Sequence, residues 1–182
     1  MVHAGVFGDM LGVIIFLAIV GGVIFYIKRT SFKEGQIVQQ WDTLVDQGNG
    51  KADVVYEVID NFVKSTKPPN VRCVRENIHA GDFMTGRDYD GLRVVDSYLR
   101  DYRIYIFAYD YGTSLHVAWF LTYQKTIVKL AKRMDIPQQL QLNAYVSTIH
   151  GATKSGVQTL MESLDQDFSK VNTKSKGFLE VW

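Results

Sequence analysis

The chain has 182 residues, a net charge of +1, 47% hydrophobic and 13% aromatic residues, and a single cysteine, Cys73. So even a charge balance argues against a nucleic-acid binder, which ordinarily carries a basic surplus. One thiol rules out an intramolecular disulfide and fits a reducing compartment.

Residues 10–27, MLGVIIFLAIVGGVIFYI, carry no charge and are apolar around the whole helical circumference. As a helix they would span roughly 27 Å, close to the ~30 Å hydrocarbon core of a bilayer. The leader MVHAGVFGD has no Lys or Arg, and Lys28-Arg29 stand where a signal cleavage site would be. The expectation is a retained transmembrane helix in a single-pass protein of the cell membrane. Lys28, Arg29 and Lys33 follow the span and would contact lipid headgroups, which puts residues 1–9 outside and the rest in the cytoplasm. Gly8, Gly12, Ala18 and Gly22 fall within one arc of that helix, a face able to pack closely on another membrane helix.

Residues 28–70 read as a juxtamembrane helical segment. Ile37, Val38, Trp41, Leu44 and Val45 recur at helical spacing and end at Gly48-Asn49-Gly50. Val54, Val55, Val58, Ile59, Phe62 and Val63 repeat the pattern before Pro68-Pro69.

From residue 71 the composition turns β-branched and aromatic, with strands expected at 71–78, 92–98, 102–110 and 114–123 and a hairpin at Tyr111-Gly112-Thr113. A short helix is expected over 126–134 and a long amphipathic one from Pro137 onward, its apolar face running from Leu142 to Phe168. The fold class is therefore α+β: a membrane helix, then one domain, 71–182, with a four-stranded antiparallel sheet packed on the long C-terminal helix. Phe178, Val181 and Trp182 close the chain as an apolar run that docks on its own domain or reaches a partner.

Both faces of the central strands are apolar. Tyr102, Ile104, Ile106 and Ala108 alternate with Tyr105, Phe107, Tyr109 and Tyr111, whereas a sheet with one wet face would alternate apolar with polar. The second face calls for a cover: the chain's own helices, a protein partner or an apolar ligand. Tyr105, Phe107, Tyr109, Tyr111 and Trp119 are the interface candidates, since Tyr and Trp are enriched at interface cores.

No reactive constellation stands out. His79, His116 and His150 lie far apart without metal-ligand spacing and read as packing or surface residues. The stretch 151–156, GATKSG, lacks the order of a phosphate loop. The stretch 81–91, GDFMTGRDYDG, reads as an exposed loop after the first strand; Asp88-x-Asp90-Gly91 within it is a fragment of calcium-loop chemistry without the terminal Glu and reads as a solvated turn. The sequence thus points to a non-enzymatic structural or adaptor subunit, needing no cofactor or metal, that assembles with itself or with other membrane-complex subunits. The alternative is a tethered sensing domain for a hydrophobic small molecule or lipid. A pilin-like subunit lacks its basic leader, and an enzyme with dispersed catalytic residues is a further alternative.

Overall fold

The structure, a computed structural model, describes residues 31–32, 37–80, 86–124 and 135–177. Strands β1 (Ser31–Phe32) and β2 (Ile37–Val45) precede helix α1 (Ala52–Thr66). Then come β3 (Val71–Ala80), β4 (Arg87–Asp96), β5 (Tyr102–Tyr111) and β6 (Ser114–Tyr123), followed by α2 (Ile136–Ser163), a 3-10 turn (Phe168–Lys170) and β7 (Lys176–Gly177). They form one sheet of order β1-β3-β4-β5-β6-β2-β7. All neighbours are antiparallel except β1, which runs parallel to the end of β3 at His79 and Ala80.

Three corrections follow. The sheet has six antiparallel strands, not four, because residues 37–45 pair with β6 over most of their length instead of forming a helix, and the short β7 pairs on their other side. Ile, Val, Trp and Thr in IVQQWDTLV favour a strand, and Trp41, Thr43 and Val45 also satisfy a period of two. In so short a run the spacing cannot separate helix from strand, and the open edge of β6 decides it. Second, β4 begins at Arg87, five residues before the expected start at 92, so the expected exposed loop is partly ladder. Third, no helix among the described residues is long and apolar enough to cross a membrane, which counts against the single-pass, cell-membrane and cytoplasmic-domain assignments. The stretch 10–27 on which they rested lies outside the described residues, as do Gly8, Gly12, Ala18, Gly22, Lys28, Arg29, Lys33, the helix expected over 126–134 and residues 178–182.

Local signals set the remaining boundaries. Helix α1 ends where Lys67 turns left-handed (φ 45°) and gives its N–H to Val63, just ahead of Pro68-Pro69. Helix α2 starts at Asp135, whose carboxylate accepts the Gln138 N–H at 2.9 Å, with Pro137 in the first turn. Gly112 (φ 64°) turns the β5–β6 hairpin between Tyr111 and Ser114.

Both helices lie on the same face of the sheet. Trp41, Val94, Ile104, Ile106, Val117, Trp119 and Leu121 meet Val55, Ile59, Leu142, Val146, Ile149 and Leu160 in one dry cluster. The helices touch at Gly156, where a Cβ would come within 3.0 Å of the Val55 carbonyl. At the centre of this layer the Trp119 indole donates to His150 Nδ1 (3.1 Å), and His150 Nε2 donates to the Thr173 carbonyl (2.9 Å). Those partners define the neutral tautomer. Trp41 Nε1 donates to the Asn172 carbonyl at 2.7 Å, so two tryptophans and one histidine pin residues 172–173 against the core.

Burial, opposed by the bond to Thr173, lowers the His150 pKa below the ordinary imidazole value. The folded ring therefore resists a proton that the unfolded chain takes up near pH ~6.5. Stability should be complete above that pH and fall as the medium is acidified through it, levelling off below the folded value. Urea midpoints measured from about pH 7.5 to 5 should show this decline, and His150→Gln should flatten it.

Candidate functional site

The second face of the sheet carries a smaller cluster built on Ile78, Tyr105 and Phe107, with Ile37, Ala80, Tyr89 and Phe120 packed around it. Its shape follows from a break in the ladder. Strands β4 and β5 pair from Val95↔Arg103 to Gly91↔Phe107 and no further. Past that point the Tyr56 hydroxyl, reaching across from α1, accepts the Ala108 N–H (2.8 Å) and donates to the Asp90 carbonyl (2.9 Å). Burial pushes this hydroxyl up to about 12. A side chain thus occupies the place of the next rung and satisfies backbone groups that would otherwise be orphaned in the interior.

On the far side of the same break lies a recess of about 180 Å³, lined by Ala80, Tyr89, Phe107, Tyr109, His116, Ala118 and Phe120. Beside it, Gly91 lets Ile78 and Phe107 pack close to the β4 backbone, since a Cβ there would come within 2.9 Å of Ile78 Cδ1 and 3.1 Å of Phe107 Cδ1. The rings meet obliquely or edge to face. Tyr89 lies 6.0 Å from Phe107 and 5.8 Å from Tyr109, Phe107 lies 6.1 Å from Phe120, and Tyr109 lies 5.0 Å from His116.

His116 is the polar element of the recess. Its Nε2 is 3.6 Å from Asp42 Oδ2, too long for a hydrogen bond, and its buried Nδ1 has no hydrogen-bond partner among the described residues. At the rim, Leu44 is 47% exposed, Tyr109 39% and Tyr111 71%. Leu44, His116 and Tyr109 stand abreast on β2, β6 and β5. Partial burial raises the Tyr109 pKa, with Tyr89 and Asp42 adding to the shift, so its hydroxyl stays a neutral donor at physiological pH.

Four of the five interface candidates share this face. Phe107 and Tyr109 line the recess, Tyr105 is buried beside it, and Tyr111 stands exposed at the strand end. Trp119 points the other way, into the helix-covered core against His150. Sequence reasoning missed Tyr89 because it lies in the stretch taken for a loop. It missed Tyr56 because its hydroxyl acts across the core, on strands about 34 to 52 residues away.

Elsewhere the polar groups are already engaged. Asp88 pairs with His79 at 2.9 Å, and Asp90 with Arg75 at 2.6 Å, so the Asp-x-Asp fragment is tied up in cross-strand pairs. Arg75 also reaches Asp53 and lies 4.9 Å over the Tyr56 ring. Cys73 is half-buried, and desolvation pushes its thiol up to about 12, far from a reactive thiolate. A wider groove of about 520 Å³ runs between the end of α1 and the first half of α2. The Asp96 carboxylate in it already accepts from Tyr98 N, Leu99 N and Gln141 Nε2. Among the described residues, no group of three or more His, Cys, Asp or Glu side chains is arranged to hold a metal ion.

No known family model matches this chain, and a comparison with curated proteins finds no similar sequence.

Tyr56→Phe would keep the ring and remove the bridge, leaving the Ala108 N–H without its acceptor. A loss of about 1–3 kcal/mol in urea unfolding is expected.

Proposed function

We propose that the chain is a binding module, an adaptor or structural subunit that recruits a protein partner through the second face of its sheet. The recess between Tyr89, Phe107 and Tyr109 receives one apolar or aromatic anchor side chain. The observation that carries this reading is the opening of an apolar recess where β4 and β5 part, with exposed Leu44, Tyr109 and Tyr111 at its rim. Its 180 Å³ is close to the ~150 Å³ cavity that takes a benzene ring. Interface hot spots commonly pair one such anchor with a pocket under an aromatic rim. The rim tyrosines offer rigid contact area together with a hydroxyl that tolerates both water and protein.

A second reading, a sensor of a small apolar ligand, is favoured by one feature: the Nδ1 of His116 lacks a hydrogen-bond partner among the described residues. Small-molecule sites are mostly apolar with a few polar groups.

One pair of experiments separates the two. A photo-crosslinking residue at position 109 of the full-length chain, expressed in its native cells, should yield a discrete protein adduct. The same residue at Tyr98, also exposed, should not. Ala118→Leu, which fills the recess, should abolish the adduct. Equal labelling at both positions would end the protein-partner reading. A small mass retained in native mass spectrometry and lost in Ala118→Leu would establish the sensor.

A further inference from the structure

We propose that two copies of the chain join edge to edge through β3, in an antiparallel pairing centred on Val74. On one side β3 is bonded to β4 along all ten residues. On the other, among the described residues, only His79 and Ala80 have a partner, the short strand β1. Among the described residues, the stretch from Val71 to Ile78 therefore presents a row of backbone donors and acceptors, which is a template for another strand. Arg72, Val74, Arg75 and Asn77 along it are exposed, and Val74 is an apolar side chain left 38% open.

The side chains argue for a second copy over an unrelated strand. Arg72, Val74 and Glu76 share one face of β3. With a twofold axis at Val74, Val74 opposes Val74 of the second copy. Arg72 then opposes Glu76 of the second copy, and Glu76 opposes its Arg72; Glu76 already accepts from Arg93 of β4, so each opposed Arg72 joins an existing Arg93–Glu76 pair, and two such groups flank one apolar pair. Neighbouring registers lose this. Moving the axis to Arg75 sets that guanidinium against its own copy, and moving it to Cys73 sets Arg72 against Val74 and leaves no charge pair. The helix-side residue Arg75 is held inward by Asp53 and Asp90, so it does not guard the edge. Length agrees as well. Pairing of residues 71–77 about Val74 fits between Pro68-Pro69 at one end and the β1 contact at the other.

The joined sheet is continuous across both copies, with the helices of each on one side and the two recesses on the other. A partner carrying two anchors could then bind bivalently. The pairing itself is independent of what the recess binds.

The purified full-length chain should sediment as a dimer. In a Cys73→Ser background, Val74→Cys should cross-link to its copy under mild oxidation far faster than Val54→Cys, an exposed position on α1. Val74→Lys should raise the dimer dissociation constant about tenfold or more while the far-ultraviolet spectrum stays unchanged. A monomeric chain, a dimer indifferent to Val74→Lys, or equal cross-linking at 54 and 74 would each overturn the proposal.

Discussion

The two α-helices among the described residues lie on the same face of the sheet. Their contact at Gly156, where the Val55 carbonyl leaves no room for a Cβ, brings them close enough to seal that face as one layer. Everything distinctive about the other face follows from this one-sided packing. Tyr105, Phe107, Tyr89 and Phe120 must find contacts without those helices, and among the described residues Phe107 packs ring against ring with Tyr89 and Phe120. The apolar alternation along β5 is thus two different structures: a dry core on one side and an aromatic surface with a recess on the other.

Tyr56 links the two. Its ring is buried with the helix layer, while its hydroxyl holds the backbones of β4 and β5 where their ladder stops. A ladder continued past Gly91 and Phe107 would bring the strands bearing Tyr89 and Tyr109 into full register. The recess is therefore coupled to a hydrogen bond made from the opposite side of the sheet. His150 plays a comparable part for the C-terminal segment. A neutral imidazole between an indole N–H and a carbonyl is satisfied at both nitrogens, whereas a protonated one would turn a donor toward Trp119.

Much of this was legible from residue pattern alone. The strands expected at 102–110 and 114–123, their Gly112 turn, α1 and the Pro137 start of α2 were readable because each has a local physical cause: β-branched and aromatic composition, a turn glycine, apolar residues at helical spacing, or a proline in the first helical turn. So was the two-sided apolar character of the sheet, and with it the shared face of four of the five interface candidates. The strand 37–45 was not, because nine residues satisfy two periods at once and only the edge of β6 selects between them. Arg87 to Asp90 looked like a solvated turn, since the charges that pair across β3 and β4 carry no sign of their partners in sequence.

What the sequence by itself determined is composition at short range: which segments can be helix or strand, where they turn, and that one apolar face would not suffice to bury the aromatic residues. What only the tertiary structure decided is which side each aromatic faces and what it meets there. Trp119 and Phe120 are adjacent in the chain, yet one lies against His150 in the core and the other lines the recess. A strand sends neighbouring side chains to opposite faces, and it is long-range packing of the helices, not the residues themselves, that makes one of those faces interior.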